Sequence, residues 1–298
     1  MDVLSDAITA MRSGRPHSAL QRRRGPWADE FPASDGAGFH VLLQGACWFR
    51  PLDGEAVLLG AGDAVFLPRE PGHRLESASV SEAVLLCGAY QLGGARAHPL
   101  WTALPAHMHI PARIANPTPM RAAIDLLGTE LAGPTPGSGA MIPALLDALL
   151  VCMLRHWIDT APEESGHGWA AAMRDPAMVS ALTAVHEDPA RGWTVAGLAR
   201  RAGMSRSVLS ERFTQMVGVP PMAYVAWWRM TLAAKRLRES DASVAGVARQ
   251  VGYSSEFAFA KAFKRELGVA PGAYRRAGRL EGTARGCAGS RPSPRRGR

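Results

Sequence analysis

The residues best suited to covalent chemistry are four cysteines, Cys47, Cys87, Cys152 and Cys287. They lie far apart in the chain and form no C-x-x-C pair, so the sequence predicts neither a zinc framework nor a disulfide framework. Cys87 lies in one apolar run and Cys47 lies beside Trp48 in another, which makes buried structural thiols the default interpretation. Because redox sensing needs a thiolate stabilised by positive charge or a helix N-terminus, oxidation of Cys87 is kept as a separate hypothesis.

A second group of chemically capable residues lies between positions 206 and 264. Leu209, Phe213 and Val217 recur at every fourth position and predict the buried stripe of a helix, and Phe259, Phe263 and Leu267 repeat that stripe. The opposite faces carry Arg206, Ser207, Ser210, Glu211 and Thr214 in the first helix and Glu256, Phe257, Ala260, Lys261 and Lys264 in the second. Side chains in the first turns of such a helix can read base edges while basic residues hold phosphate, so the pattern favours DNA binding.

The segments that hold these faces form an internal repeat. Positions 198–205 match positions 247–254 at an offset of 49, and the offset becomes 50 from the pair Ser205 and Ser255 onward. Each copy predicts a short helix, a glycine-containing turn and a second helix, which is the helix-turn-helix arrangement. The one-residue change falls at the turn into the second helix, so the two copies are expected to enter that helix differently.

Polar residues and glycines predict where the helices of each copy begin and end. The predicted N-caps are Thr194 and Ser205 in the first copy, and Ser243 with either Ser254 or Ser255 in the second. Gly203 and Gly252 suit the left-handed backbone of the turns. Between the copies, residues 220–240 begin with two prolines and continue as one helix. A rigid helix of this length could place the two recognition helices about one DNA turn apart, roughly 34 Å.

Charge is distributed unevenly along the 298 residues, a length that suits about two domains. Residues 1–190 carry 13 Arg and no Lys against 20 acidic residues, a net charge of −7. Residues 191–279 carry 16 basic residues against 5 acidic ones, a net charge of +11, and residues 280–298 add +4 to reach the total of +8. The imbalance indicates that the back half, and not the front half, meets a polyanion.

The front half has the pattern of strands followed by helices. Short apolar runs broken by glycine, proline and aspartate between residues 39 and 90 predict a β-sandwich or small barrel. Helices are predicted at about 119–131, 142–159 and 176–187. The second of these carries a stripe that either packs within the chain or forms the seam of a dimer, and its members are Leu146, Leu150, Met153 and Trp157.

The N-terminal segment and the apolar runs indicate the cellular compartment of the protein. The segment 1–14 carries acids at positions 2 and 6 and contains no apolar core, so no signal peptide is expected. The apolar run from Ala148 to Leu154 is too short to span a bilayer, so no membrane is expected either. Together with the unpaired cysteines, these features predict a cytoplasmic protein.

The back half also resembles a known family. The segments WWRMTLAAKRL and VARQVGYSSEFAFAKAFKRELGVAPGAYRR, with their first-copy counterparts, are similar to the C-terminal domain of AraC/XylS-type transcriptional regulators across residues 180–278. The resemblance implies base contacts from the exposed early positions of both recognition helices, namely Arg206, Ser207, Ser210 and Glu211, then Glu256, Phe257, Ala260 and Lys261. Because Ser207, Phe257 and Ala260 are poor hydrogen-bonding readers, thymine methyl contacts or DNA shape are expected to carry part of the specificity.

The front half resembles the cupin-like sensory half of one AraC-type subgroup. Residues 62–73 are similar to the second cupin motif, and His40-x3-Gln44 takes the place of the first. That first motif lacks its partner histidine and has Gln44 where glutamate is usual. A cupin metal site needs three histidines and a carboxylate, so His40, Gln44 and His73 form an incomplete ligand set. The two histidines of residues 107–109 lie outside both motifs, and satisfied histidines without a metal are the preferred interpretation.

These observations predict an α+β multidomain chain. A cupin-like β-barrel with flanking helices is expected over residues 1–160, a linker over 161–179, an all-α domain with two helix-turn-helix units over 180–278, and a disordered basic tail over 279–298. The predicted function is sequence-specific regulation of promoters in response to a small molecule or chemical stress. The expected partners are double-stranded promoter DNA and a small-molecule or oxidant effector, with RNA polymerase and a second copy of the chain as further partners, and no cofactor is expected.

Two other functions fit parts of the sequence. A metal-dependent cupin enzyme with an attached DNA module would need a complete ligand set, and the missing histidine and carboxylate of the first motif argue against it. A constitutive DNA-binding protein whose front half serves dimerisation would show no response to ligand or oxidant. A regulator without enzymatic activity is therefore the leading interpretation.

Overall fold

The computed structural model describes residues 2–11, 16–34, 36–90, 98–112, 118–133, 135–162 and 167–277. The predicted tail at 279–298, and with it Cys287, lies outside the described residues. The strands are β1 (His17–Arg23), β2 (Ala28–Phe31), β3 (Ala37–Gln44), β4 (Cys47–Pro51), β5 (Val57–Leu59), β6 (Ala64–Leu67), β7 (His73–Ser77), β8 (Ala83–Tyr90) and β9 (Met108–Ile110). The helices are α1 (Val3–Met11), α2 (Pro99–Ala103), α3 (Pro119–Ala132), α4 (Ser138–Thr160), α5 (Gly168–Arg174), α6 (Pro176–Glu187), α7 (Val195–Arg201), α8 (Arg206–Val217), α9 (Pro221–Glu239), α10 (Val244–Gln250) and α11 (Glu256–Leu267).

The strands form two antiparallel sheets that pack face to face. One sheet has the order β1-β8-β3-β6-β9 and the other has the order β2-β7-β4-β5. Leu42 and Leu85 from the first sheet meet Phe49 from the second in the core between them. Side chains alternate along a strand, so Phe39 and Val41 of β3 point to the outer face of the five-stranded sheet. The predicted strand-rich front half is confirmed.

Helices cover that outer face. α3 and α4 pack on each other, and their buried residues join the core that contains the outer face of the five-stranded sheet. α3 begins at its N-cap Thr118 with Pro119 in the first turn, close to the predicted start. α4 begins four positions before the predicted start at 142, after Gly137 in left-handed backbone. Proline favours the first turn of a helix, and Pro143 lies next to the predicted start. In the structure Pro143 is instead an internal residue of α4.

Among the described residues, α4 is long and apolar enough, by length and composition, to cross a membrane. The apolar run at 148–154 lies inside this helix of 23 residues, which extends beyond both ends of the helix predicted at 142–159. The core helix of a soluble protein meets the same criteria, and Leu146, Leu150 and Met153 are fully buried against other elements of the chain. These three residues of the stripe therefore pack within the chain. The prediction that the whole stripe forms the seam of a dimer is wrong.

The segment predicted as a linker contains regular structure. Its described residues include α5 and the start of α6, which begins at Pro176 as predicted. Trp169 of α5 is fully buried, and α5 contacts α2, α4, α6 and α8. The segment is therefore part of the packed core, because its buried side chains cannot separate from these neighbours without exposing apolar surface.

The hydrophobic cores divide the molecule unequally. One core runs without interruption from the outer face of the five-stranded sheet through α4, α5 and α6 to α7, α8 and the first half of α9, where it ends at Trp228. A separate core starts at Met230 in the second half of α9 and includes α10 and α11. The first helix-turn-helix unit (α7 and α8) therefore shares its core with the front half, whereas the second unit (α10 and α11) has a core of its own.

Candidate DNA interface and sensor core

The predicted repeat is present in the structure with its one-residue offset change. α7 and α10 begin at Val195 and Val244, whereas α8 and α11 begin at Arg206 and Glu256, so the offset grows by one between the two helices of each unit. Thr194 and Ser243 accept hydrogen bonds from Gly197 N (3.1 Å) and Gly246 N (3.0 Å), so both are N-caps as predicted. The duplicated caps fix the start of each first helix in the same way.

The turns repeat the same backbone geometry. Gly203 and Gly252 have φ values of 66° and 83°, in the left-handed region that favours glycine. Met204 N donates to Ala199 O and Tyr253 N donates to Ala248 O, each at 2.9 Å, which closes both turns identically. A Cβ atom at Gly252 would also lie 2.6 Å from Ala190 O, so this position has no space for a larger residue.

The extra residue of the second copy lies in the turn before α11. Ser205 caps α8 by accepting from Val208 N at 3.4 Å, and Ser255 caps α11 by accepting from Ala258 N at 3.3 Å. Of the two serines that the sequence left open, Ser255 is therefore the cap and Ser254 is the inserted residue. The insertion lengthens the turn without changing the helix start.

The predicted DNA-contacting faces are accessible. Leu209 and Phe213 in α8, and Phe259 and Phe263 in α11, are fully buried. The predicted contact residues are exposed or half-buried on the opposite faces: Arg206, Ser207, Ser210, Glu211 and Thr214 in α8, and Glu256, Phe257, Ala260, Lys261 and Lys264 in α11. Val208, which the sequence reasoning omitted, is also exposed in the first turn of α8. The two faces differ, since α8 presents three hydroxyl groups and a carboxylate where α11 presents a phenyl ring, a methyl group and two lysines.

The structure also shows what holds the first recognition helix, α8. Trp169 Nε1 donates to Val217 O at the C-terminal end of α8, at 3.2 Å. Arg212 in the middle of α8 forms an ion pair with Asp175, the N-cap of α6. α9, which joins the two units, is 19 residues long, or about 28 Å at the usual helical rise. The separation of the recognition helices by one DNA turn stays a prediction.

A chain of hydrogen bonds crosses the core of the sandwich. His40 and Cys87 face each other in the register of β3 and β8, and Cys87 Sγ lies 3.0 Å from His40 Nδ1. His40 Nε2 lies 2.8 Å from His73 Nε2 on the opposite sheet, and His73 Nδ1 lies 2.8 Å from Pro71 O. Phe31 stacks on the His73 ring with the centroids 4.8 Å apart. We call Cys87, His40 and His73 the thiol–imidazole chain.

The proton positions in this chain follow from its last acceptor. Pro71 O can only accept, so His73 Nδ1 carries a proton and His73 Nε2 accepts from His40 Nε2–H. His40 Nδ1 is then free to accept from the Cys87 thiol. Burial lowers the pKa of His40 to about 3, with the charge of His73 as a second cause, and burial raises the pKa of Cys87 to about 12, with Asp29 as a second cause. Every member of the chain is therefore neutral at physiological pH.

These residues do not fit a cupin metal site. A β-bulge between Leu42 and Gln44 shifts the register of β3, and Gln44 is exposed instead of facing His40. The candidate ligand Gln44 was therefore a wrong prediction. His109 binds Asp63 at 3.3 Å and His107 packs on Phe49, so neither joins the pair. Within the described residues no group of three or more His, Cys, Asp or Glu side chains could hold a metal ion.

Comparison with known proteins agrees with both halves of the structure. A cupin family model matches residues 2–159, and a helix-turn-helix domain model matches residues 198–277. A Streptomyces lividans protein named as an AraC-like transcription regulator is 35% identical over 93% of this chain and 98% of its own length. The chain belongs to the AraC-like transcription regulators. The RCS-specific transcriptional activator RclR of Escherichia coli K12 is 30% identical over 80% of this chain and 83% of its own length.

A solved structure is similar to the DNA-binding half of this AraC-like regulator. The DNA-binding domain of AdpA, a global transcriptional factor crystallised with a target DNA, is 34% identical and covers 36% of this chain and 96% of its own, with a TM-score of 0.34. Family membership and the two domain models make the regulator a DNA-binding protein with a cupin domain joined to a helix-turn-helix region.

The regulator's cupin half inserts an imidazole between α5 and α9. His98, the N-cap of α2, is fully buried and accepts from Leu100 N at 2.9 Å through Nδ1. Its ring lies between Trp169 and Trp227, at centroid distances of 4.9 and 4.8 Å. Burial lowers the pKa of His98 well below its usual value, with the charge of His186 as a second cause. Trp101 Nε1 donates to Pro68 O at 2.7 Å and anchors α2 on the sandwich.

A second contact joins the N-terminal helix to the helix between the two units. Asp6 of α1 lies 3.3 Å from His186 Nδ1, and His186 Nε2 lies 2.7 Å from the Tyr224 hydroxyl of α9. The His186 ring also stacks on Trp228 at 3.9 Å. Asp6 and His186 lie at opposite ends of the first two thirds of the chain, so no local sequence pattern could have brought them together.

A cavity of about 640 Å³ lies between the sandwich edge and the helices α3 and α4. Ile110 and Ile124 supply apolar surface, while Arg121, Arg155 and Asp159 supply charge. The volume falls in the range of small-molecule sites. The cavity is separate from the thiol–imidazole chain, and the binding of a small-molecule effector stays a prediction.

Proposed function

We propose that this regulator contacts promoter DNA through the exposed faces of α8 and α11. The observation that carries the proposal is the pair of capped helices whose accessible first turns lie in the basic part of the chain, where residues 191–279 have a net charge of +11. Helices of this kind place their first turns against base edges and their basic residues against phosphate. The contact residues are those predicted: Arg206, Ser207, Ser210, Glu211, Glu256, Phe257, Ala260, Lys261 and Lys264.

Replacement of Lys261 by alanine tests this placement. Lys261 is exposed in the second turn of α11 and makes no ion pair among the contacts described, so its charge is available to DNA. We expect specific affinity to fall by about fivefold and the salt dependence of binding to decrease by about one phosphate contact. Fluorescence anisotropy with the selected binding site, between about 50 and 200 mM salt, measures both quantities.

The matched control removes a positive charge from the other half. The side chain of Arg24 is 82% exposed and pairs with Glu82 in the cupin domain, so Arg24→Ala is expected to leave DNA affinity and its salt dependence unchanged. Equal losses in both variants would indicate a general charge effect. An unchanged affinity of Lys261→Ala at physiological salt would contradict the placement of α11 on DNA.

The cupin domain is proposed as the sensor of a cytoplasmic signal. Its contacts through His98, and through Asp6 and His186, reach α5, α6 and α9, which pack against the first helix-turn-helix unit. An effector can change DNA binding only if it binds one arrangement of these elements more tightly than another. Contact with RNA polymerase and pairing with a second copy of the chain remain predictions.

An oxidant is a second candidate effector, and the observation that favours it is the hydrogen bond between Cys87 and His40. As the Cys87 sulfur forms a bond to the electrophilic atom of an oxidant and displaces its leaving group, the thiol proton can pass through His40 Nδ1 to that leaving group, so reaction does not require a free thiolate beforehand. Burial and the raised pKa of Cys87 keep that thiol slow towards general alkylating agents. The name of the relative RclR, an RCS-specific activator, is in line with a chemical signal.

Replacement of Cys87 by alanine is expected to abolish an oxidant-dependent change in DNA affinity while preserving binding under reducing conditions. The reason is that alanine removes the sulfur and leaves the apolar strand pairing of β8 intact. Cys152→Ala is the control, because Cys152 is a half-buried thiol on α4 that is not a member of the thiol–imidazole chain. An oxidant response that persists in Cys87→Ala and disappears in Cys152→Ala would reject this candidate.

A further inference from the structure

The second recognition helix presents apolar surface where a hydrogen-bonding reader would be expected. Phe257, the second residue of α11, is 81% exposed, more than any other large apolar side chain among the described residues. An exposed phenyl ring on a binding face is available to a partner that offers an apolar group, because covering it removes apolar surface from water. The Phe257 ring is not part of the core of the second unit, to which α11 contributes Phe259 and Phe263 from its opposite face.

The neighbours of Phe257 extend this apolar patch. Ala260 lies one turn later on the same face, and its methyl group is small enough to let the helix approach a surface closely. Lys261 follows at i+4 and is exposed, so the patch ends in a positive charge. In α8 the equivalent positions are Ser207 and Ser210, whose hydroxyl groups can donate and accept. The two helices therefore offer different chemistry to the same kind of surface.

The major groove contains one apolar group, the C5 methyl of thymine. A phenyl ring and a methyl side chain cannot satisfy the donors and acceptors of guanine, cytosine or adenine edges, but they can cover a thymine methyl. The basic residue at the end of the patch is then placed to hold phosphate. We infer that Phe257, with Ala260, makes α11 a reader of thymine through its C5 methyl group, an inference that rests on the proposed binding of α11 to DNA.

The experiment removes the thymine C5 methyl group from the DNA and leaves the protein unchanged. A binding site is first selected from random duplexes with the full-length chain, and each thymine is then replaced singly by deoxyuridine, which keeps every hydrogen-bonding group. Transfer of one methyl group from water to an apolar contact predicts that uracil at the read position weakens binding by about fourfold. Phe257→Ala is expected to weaken the thymine site to a similar extent.

The combination of the two changes gives the decisive result. If Phe257 covers the methyl, uracil at that position has no further effect on Phe257→Ala, whereas the effects of independent changes would multiply. Leu52→Ala is the matched control, because it removes a similarly exposed apolar side chain from the cupin half, and it should leave the pattern of uracil sensitivity unchanged. Because Phe257 is exposed, its removal is expected to leave the thermal unfolding temperature of the chain unchanged, which separates loss of contact from loss of folding.

The possible outcomes distinguish this inference from the proposed function. If no uracil substitution affects wild-type binding while Lys261→Ala still weakens it, α11 binds DNA and the thymine readout is wrong. If neither has an effect, the placement of α11 on DNA fails as well. If Phe257→Ala retains full DNA affinity but loses promoter activation in transcription assays, the phenyl ring contacts a protein partner, and the thymine readout is overturned.

Discussion

Replacement of Trp169 by alanine is expected to lower the free energy of unfolding by about 3–5 kcal/mol, the usual range for truncation of a buried aromatic residue. Trp169 is fully buried in α5, packs on His98 from the cupin half, and donates to Val217 O at the end of the recognition helix α8. Its loss removes packing from both sides of the junction and leaves a buried carbonyl without its donor. We therefore expect DNA affinity to fall together with stability.

Hydrogen exchange measured segment by segment can show that this residue joins two functional parts. In Trp169→Ala, exchange is expected to increase together in α2, α5 and α8, because these elements share one core. Phe263→Ala makes a cavity in the separate core of the second unit, so exchange should increase in the second half of α9, in α10 and in α11, and not in α2, α5 or α8. Increased exchange confined to α5 in Trp169→Ala would show that the junction does not couple the cupin half to α8.

A conservative variant separates the hydrogen bond from the packing. Trp169→Phe keeps most of the buried ring but cannot donate to Val217 O. Loss of one buried donor is expected to cost about 1–3 kcal/mol. If α8 is positioned by this bond, the affinity for DNA should decrease more than this change in stability would explain.

The unequal cores imply an unequal response to the effector. The first unit is continuous with the cupin half, and the second is connected to it through the second half of α9. We therefore expect a rearrangement of the cupin half to reach α8 through α5 and the shared core, while α11 retains its own packing. If both helices bind DNA as proposed, α8 is expected to respond to the signal, and α11, with Phe257 and two lysines, is expected to bind independently of it.

The sequence predicted the duplicated DNA-binding units well for a physical reason. Their helices are defined by local signals, since Thr194, Ser205 and Ser243 each cap a backbone group one turn away and the turn glycines act on their own backbone. The exposed faces then follow from helical periodicity, because burial of one stripe leaves no choice about the opposite one. The sequence left two candidates for the N-cap of α11, and the structure shows that it is Ser255 rather than Ser254.

The sensor core could not be predicted in the same way. The contact between His40 and Cys87 depends on the register of two strands that are distant in the sequence, and the contact between His40 and His73 crosses from one sheet to the other. A β-bulge after Leu42 removed Gln44 from the face that simple alternation would give it. α5 was missed because so short a helix shows little periodicity, although the buried Trp169 makes it structurally important.

Acidification is expected to destabilise the regulator strongly between about pH 6.5 and pH 5. Burial lowers the pKa of His40, His73, His98 and His186 in the folded state. Unfolded histidines have a pKa of about 6.5, so the unfolded chain takes up protons that the folded chain refuses as the pH falls. The contribution of each histidine to the free energy of unfolding is complete above about pH 6.5 and decreases as the pH falls below it. For His40 the decrease continues down to its folded pKa of about 3.

The magnitude follows from the number of protons. At about pH 5.5, one unit below the unfolded pKa, a histidine that stays neutral in the folded state, as His40 does with its pKa of about 3, costs about 1.4 kcal/mol. The lowered pKa values of His73, His98 and His186 add to this loss in the same direction. Urea unfolding at about pH 7.5, 6.5 and 5.5 measures this loss, and its slope with pH gives the number of protons taken up on unfolding.

A single substitution assigns part of that slope to the domain junction. Asparagine can replace His98 as the N-cap of α2, since its side-chain oxygen can accept from Leu100 N, but it does not titrate. His98→Asn is therefore expected to lower the proton uptake on unfolding by about one. If the slope of the variant equals that of the wild type, His98 is not held neutral between Trp169 and Trp227. A reduced slope would show that the His98 imidazole is a direct source of acid sensitivity. This sensitivity would then lie at the junction between the cupin half and the DNA-binding half.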